Sequence, residues 1–166
     1  IRRTALAACA VIALLGRPAH ADRRFVQSYT PYLDAAGTVE FGVWTTARSG
    51  AGDSTNTSWQ NRAELEYAIT DRLTGAFYFN YVQAGGESSA QRFDGPSLEL
   101  IYRFAEPGRI PLDPAAYLEV RENGDELEVE PKLLLAQRSG SWVAAANLIG
   151  EFETRHTGAE KGETES

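Results

Sequence analysis

The stretch between residues 60 and 104 constrains the fold most, because apolar and polar side chains alternate along three successive segments. In the first segment the apolar positions are Ala63, Leu65, Tyr67 and Ile69. Successive side chains of a β-strand point to opposite faces, so this alternation gives each strand one apolar and one polar face. A tight turn at 70–72 is predicted after the first segment, and a polar loop at 84–96 before the third. The stretch therefore predicts three long strands.

The alternation continues on both sides of this stretch and brings the predicted total to seven strands. Asn123-Gly124 is a strong signal for a tight hairpin between two of them. Pro131 has no amide hydrogen, so it predicts an irregular or weakly paired point within its strand. The four further strands are predicted at 37–46, 116–121, 126–135 and 142–153.

The connections indicate an all-β fold, namely an antiparallel up-and-down transmembrane β-barrel. The loops at 48–58 and 84–95 are long and polar, whereas the turns at 70–72 and 138–140 are short. Outer-membrane barrels show this alternation between long external loops and short periplasmic turns. Two connections do not follow it: Asn123-Gly124 would be a short external hairpin, and 105–114 a long periplasmic connection.

The number of strands predicts that the barrel is incomplete. Bacterial single-chain barrels have an even number of strands, eight or more, and an open sheet edge is not tolerated in lipid. We therefore interpret the chain as the N-terminal part of a larger barrel. A soluble secreted β-sandwich stays open as an alternative, because period two does not distinguish an apolar face against lipid from one against a second sheet.

The first 21 residues predict a helical secretory signal. Arg2 and Arg3 form a basic start, residues 4–15 an apolar core, and Ala19-His20-Ala21 a cleavage site after Ala21. The apolar core is shorter than the ~20 residues that a membrane-spanning helix needs. Leu6-Ala7-Ala8-Cys9 resembles a bacterial lipobox, so a lipid-bearing Cys9 is the alternative.

The signal at 1–21 divides the chain into four predicted regions. After it come a periplasmic lead-in or first half-strand at 22–36, a partial β-barrel at 37–155, and a polar loop or truncated tail at 156–166. Removing the three arginines of the signal changes the formal net charge from −7 to −10. Such an acidic chain argues against nucleic acid as a partner.

Charged side chains collect on the predicted polar face, where they are candidates to line a lumen. One interpretation is an acidic lumen that favours cations through rings of charge. The other is a solvated barrel interior whose charges pair between neighbouring strands. The acidic candidates are Glu40, Glu64, Glu66, Glu99, Glu119, Glu128, Glu130 and Glu151, and the basic candidates are Arg62, Arg103, Arg121 and Lys132.

Aromatic residues near the strand ends are candidates for the girdles that outer-membrane barrels place at the two membrane surfaces. The alternative is ordinary strand preference, since aromatic residues favour β-strands in any protein. The candidates on the apolar face are Tyr67, Tyr81, Tyr102 and Trp142.

The sequence predicts no catalytic site, no metal site and no cofactor. His156 is the one histidine after the signal, and it lies in a polar tail. The Gly-x-Ser-x-Gly motif of a nucleophile elbow is absent from the sequence. Glu126, Glu128 and Glu130 offer oxygen ligands for Ca²⁺ but lack the glycine and loop of an EF-hand.

The segment Glu64-Leu65-Glu66-Tyr67-Ala68-Ile69-Thr70-Asp71-Arg72-Leu73 resembles the E-x-x-Y-x-x-T-D-R-L/F hairpin of many outer-membrane barrels. With the aromatic residues of 25–32 and Gly37-Thr38-Val39-Glu40, it makes residues 22–155 similar to a group of poorly characterised, porin-like or transporter-like bacterial outer-membrane proteins. The resemblance implies an outer-membrane location and solute passage, and it assigns no catalytic residue.

Three functions remain open on this basis. The first is a passive pore or transporter-like protein whose partners are outer-membrane lipid and a small solute or cation. The second is a barrel scaffold for surface binding or adhesion, with the loops at 48–58 and 84–95 as contact regions. The third is a soluble secreted β-sandwich that binds a ligand.

Overall fold

The computed structural model describes residues 28–49, 57–85 and 90–155. Within these ranges the protein is all-β, and no helix occurs. The predicted signal at 1–21, Cys9 and the predicted tail at 156–166 lie outside the described residues. The strands are β1 Val39–Arg48, β2 Ser58–Thr70, β3 Leu73–Gln83, β4 Arg92–Arg103, β5 Ala115–Glu122, β6 Glu126–Ser139, β7 Trp142–Ile149 and β8 Phe152–Arg155.

The strands form one antiparallel meander that curls into a half-barrel, which confirms the predicted antiparallel up-and-down arrangement. Strands β1 to β7 are hydrogen-bonded in chain order, and β8 also pairs with β6. The curl brings distant strands together. Arg62 of β2, for example, forms an ion pair with Glu119 of β5. Across the described part of the chain, no helix has the length and apolar character needed to cross a membrane.

The last predicted strand, at 142–153, is divided into β7 and β8, so the structure has eight strands where seven were predicted. Both pieces lie on β6 in one register, with Ile149 opposite Lys132 and Phe152 opposite Val129. The interruption falls beside Pro131, which has no amide hydrogen to donate to the ladder. The Gly150 amide still donates to the Pro131 carbonyl oxygen at 2.9 Å.

Strand β4 begins at Arg92, so the loop predicted at 84–96 ends earlier than expected. The register shifts between Phe79 and Tyr81, which places two residues of β4 opposite one of β3. Gly95 adopts a φ of 87° at this bulge, and a Cβ there would overlap the carbonyl oxygen of Glu122. Only glycine therefore fits this position, and the bulge lets β4 continue past it.

The predicted turn at Asn123-Gly124 joins β5 to β6. Gly124 has a φ of 86°, which glycine adopts without a steric penalty. The Asn123 side-chain oxygen accepts hydrogen bonds from the amides of Asp125 and Glu126, at 3.0 and 2.9 Å. The hairpin is therefore confirmed at the predicted place, but Asn123 lacks the positive φ that an Asn-Gly type I′ turn requires and acts through its side chain instead.

Burial in the sheet is inverted relative to a water-soluble protein. The concave face carries the polar residues, and Glu99 there is 1% exposed. The convex face carries the apolar residues, and Phe41 and Trp142 there are 69% and 80% exposed. The buried apolar cluster is small and consists of Ile101, Ala115, Tyr117 and Leu134.

Candidate functional site

One row of register partners crosses the concave face and carries a glutamate on five of six adjacent strands. Directly opposed like charges destabilise a sheet, so this arrangement costs stability unless other groups or ions compensate it. The row, called the glutamate row here, consists of Glu40, Glu66, Ala76, Glu99, Glu119 and Glu130 from β1 to β6.

Tyr78 links the glutamate row to the neighbouring row. Its buried hydroxyl lies 3.0 Å from Glu64 Oε1 and 2.6 Å from Glu99 Oε2, and its single proton is shared between these two carboxylates. Trp44 Nε1 donates to the other oxygen of Glu64 at 2.7 Å. Gly42 leaves room for that bond, because a Cβ there would lie only 3.3 Å from Glu64 Oε2. The two glutamates are thus held by neutral donors.

Arg62 is the central cation of the concave face. Its Nε donates to Asn80 Oδ1 at 2.7 Å, and its Nη2 forms an ion pair with Glu119 of the glutamate row. Its guanidinium carbon lies 4.6 Å from the centroid of the Tyr78 ring. The Tyr117 hydroxyl donates to the second oxygen of Glu119 at 2.7 Å. The Glu119 carboxylate is therefore well compensated.

Two further cations pair with carboxylates on the concave face. Arg121 forms an ion pair with Asp94 at 2.9 Å and another with Glu128. Lys132 lies 2.8 Å from Glu130, the last member of the glutamate row. The two contacts of Arg121 join neighbouring strands and fit the interpretation of charges that pair between strands, whereas Lys132 and Glu130 both lie on β6.

Two of the candidate residues lie apart from this network. Arg103 lies near the β2–β3 turn, where it donates to the Asp71 carbonyl oxygen at 2.7 Å and to Glu106 at 3.0 Å. Glu151 is exposed in the gap between β7 and β8. The predicted set has eight carboxylates and four cations, so the face is acidic in sum even though several charges are paired.

The four aromatic candidates lie on the convex face, towards its two rims. Tyr67, Tyr102 and Trp142 are 47%, 46% and 80% exposed, and Tyr81 is half-buried. Tyr102 lies opposite Leu73, eight residues along β3 from Tyr81, which corresponds to ~26 Å at about 3.3 Å per residue. The convex residues between these rims include Phe41, Leu65, Phe77, Leu98 and Leu100.

Several residues that build the concave face were not among the sequence candidates. Tyr78 and Asn80 alternate with apolar neighbours, so the sequence pattern predicts their place on the polar face. It does not predict their hydrogen-bond partners. Asp94 was missed because the sequence assigned it to a loop, and the bulge at Gly95 brings it within reach of Arg121. Phe93 joins Tyr81 at the loop-side rim, with ring centroids 5.3 Å apart.

Two groups of three carboxylates could hold a cation through oxygen ligands. Within each group the carboxylate oxygens lie within 4.8 Å of one another. Glu126 and Glu128, considered above with Glu130 for Ca²⁺, are joined instead by Glu153 of β8, which lies opposite Glu128. The other group is Asp34, Glu40 and Glu66.

Comparison of the chain with protein-family models, with curated proteins and with solved structures found no match. Its function must therefore be inferred from the chemistry of the two faces of the sheet.

Proposed function

We propose that the chain is part of a transmembrane β-barrel of the bacterial outer membrane, and that this barrel is a passive pore with an acidic, water-filled lumen. The inverted burial is the observation that carries the proposal. In water, a broad surface of exposed Phe41, Leu98 and Trp142 side chains would favour association. In lipid the same surface is in its preferred environment, and the polar face is turned away from it.

The dimensions of the convex face support a position within a bilayer. The ~26 Å between the Tyr102 and Tyr81 levels shortens to about 20 Å if the strands tilt by about 40°. Outer-membrane barrels have an apolar band ~25 Å tall between aromatic girdles. The convex face thus has nearly the required height, with aromatic side chains at both limits.

The concave face supports passage of small cations. The glutamate row places carboxylates on five of six neighbouring strands, in a band that winds along the lumen wall because the strands tilt, and such a concentration of carboxylates favours cations. Arg62, Arg121 and Lys132 neutralise part of this charge and leave an acidic excess. We propose no catalytic role for these residues.

Closure of the barrel needs further strands. In the described residues, β1 pairs only with β2, and the opposite edge, β7 with β8, pairs only with β6. Every backbone polar group must be satisfied within lipid, so both edges require partners. We propose that additional strands supply them and complete a larger barrel. Because β7 and β8 share one position beside β6, the sheet has seven strand positions, whereas bacterial barrels have an even number.

The first test uses the complete gene product in a Gram-negative host. We expect it in the outer-membrane fraction, with a gel mobility that changes when the sample is boiled, because folded barrels resist detergent. Purified protein should then conduct ions across planar bilayers. A soluble periplasmic protein whose mobility does not change on boiling would contradict the proposal and favour the β-sandwich. A heat-modifiable barrel without conductance would favour the adhesion scaffold.

A further inference from the structure

The segment at 28–36 forms no strand and lies against the concave face. Asn147 of β7 holds it by the backbone, because Tyr29 N donates to Asn147 Oδ1 at 2.8 Å and Asn147 Nδ2 donates to the Tyr29 carbonyl oxygen at 2.9 Å. One side chain thus replaces the pair of hydrogen bonds that a neighbouring strand would make. The segment is attached to the sheet without belonging to it.

The Tyr29 side chain covers the interior of the half-barrel. Its ring lies 4.7 Å from the Tyr117 ring, and Lys132 Nζ lies 4.4 Å from the Tyr29 centroid and 4.2 Å from the Tyr117 centroid. Lys132 is only 9% exposed between these rings. Leu33 packs against the small apolar cluster that includes Tyr117. The segment therefore occupies space that an open channel would need.

The same segment is tied to the rim formed by the turns. The Tyr32 hydroxyl donates to Asp113 Oδ2 at 3.1 Å, and the Arg138 guanidinium carbon lies 3.8 Å from the Tyr32 centroid. Burial raises the pKa of Tyr32 most, and the hydrogen bond to Asp113 raises it further. Ala36 N donates to Asp71 Oδ1 at 2.9 Å. These contacts reach the turn between β2 and β3, the connection between β4 and β5, and the end of β6 beside its turn to β7.

We propose that residues 28–36 are a releasable plug that closes the turn-side mouth of the half-barrel, with Asn147 as its latch. The expected effect on conductance rests on the proposed pore function, because release of the plug raises conductance only if the barrel is a pore. The position of the plug is independent of that function. Its contacts are side-chain contacts and two latch hydrogen bonds rather than a strand ladder, so it can leave while the sheet stays intact.

The test is Asn147→Ala in the complete protein, with Asn61→Ala as the matched control. Asn61 is also a strand asparagine, but its side chain bonds Thr45 away from the plug. Both variants should keep the heat-dependent gel mobility of a folded barrel. The first measurement is labelling by a water-soluble amine reagent, with the labelled peptides mapped so that Lys132 is followed separately from Lys161, the other lysine of residues 1–166, and from any further amine. We expect severalfold faster labelling of Lys132 in Asn147→Ala and no change in Asn61→Ala.

The second measurement is conductance in planar bilayers, which we expect to rise severalfold in Asn147→Ala alone. Lys132 labelling that stays at the wild-type rate in Asn147→Ala and in the double variant Tyr29→Ala, Asn147→Ala would overturn the plug. Faster Lys132 labelling with no conductance in any variant would support the plug and refute the pore. Faster labelling with a measurable conductance that equals the wild-type conductance would overturn the closing role of the plug.

Discussion

The two faces of the sheet follow opposite rules. The concave face buries carboxylates, hydroxyls and guanidinium groups, and several of these groups contact one another, as Tyr78 does with Glu64. The convex face exposes large apolar side chains that make few such contacts. A soluble protein buries its apolar face. In this sheet the large apolar side chains are exposed, and the buried face consists mainly of polar side chains that contact one another. Under the proposed function, lipid supplies the apolar environment of the convex face.

The largest expected effect comes from placing a charge on the convex face. Leu98 is 60% exposed and lies opposite Phe77, midway between the two aromatic levels on β3. Leu98→Arg should lower the free energy of unfolding in phospholipid vesicles by about 2–4 kcal/mol, because an arginine would meet hydrocarbon at the bilayer midplane. Denaturant titration in vesicles measures it.

A matched arginine at Gln60, near the loop-side end of the concave face, should change this free energy much less. If Leu98→Arg costs no more than the ~0.5 kcal/mol typical of a water-exposed position, the convex face does not meet lipid. The exposed apolar side chains of the convex face would then have to be covered by a second sheet or a protein partner.

The next effect tests the central cation of the concave face. Arg62→Gln keeps a donor near Asn80 but removes the charge beside Glu119, whose side chain is 8% exposed. Loss of one partner of a buried ion pair costs about 3–5 kcal/mol, and the 31% exposure of the Arg62 side chain lowers the expectation to about 2–3 kcal/mol. The same vesicle titration measures the loss.

Arg72→Gln is the matched control, because its ion pair with Glu106 is exposed on both sides and should contribute little. Equal and small losses in the two variants would show that the concave face is filled with water, which screens Arg62 as it screens a surface residue.

A smaller effect compares tyrosine hydroxyl groups on the two faces. Tyr78→Phe removes the donor between Glu64 and Glu99 and leaves buried oxygens with fewer hydrogen bonds, which should cost about 1–2 kcal/mol. Tyr102→Phe removes a hydroxyl from the exposed face and should cost well under 1 kcal/mol. Thermal or denaturant unfolding of both variants measures the difference, and a reversed order would contradict the assignment of the faces.

Sequence alternation predicted which residues share a face, because period two is a local property of the chain. It placed the glutamates together with Arg62 and Lys132, and it predicted the hairpin at Asn123-Gly124. The signal at 1–21 and the outer-membrane location stay predictions.

Contacts between distant segments could not be predicted in this way. The latch between Tyr29 and Asn147 joins residues 118 positions apart, and nothing local to either residue indicates it. The inward place of Asp94 depends on the bulge at Gly95, which comes from close approach to the β5–β6 turn. Local pattern predicted the faces, whereas the contents of the concave face depend on the curl of the sheet.

The smallest effect concerns the function of the glutamate row. A single charge ~4 Å from a permeating ion contributes about 1 kcal/mol in water before salt screens it. Glu66→Gln should therefore lower the ratio of cation to anion permeability only about twofold, which corresponds to ~0.4 kcal/mol. The reversal potential in a salt gradient measures this ratio. The double variant Glu40→Gln, Glu66→Gln should shift it further in the same direction, because the two residues lie opposite each other on β1 and β2.

Asp125→Asn provides the matched control, since it removes one carboxylate at the exposed β5–β6 turn outside the row. An equal shift in Asp125→Asn would mean that selectivity reflects the overall negative charge. A ratio that does not change in the double variant would show that ions do not pass along the glutamate row. The carboxylates would then serve only to pair with the cations of neighbouring strands, and the polar face would stabilise the barrel without selecting what passes through it.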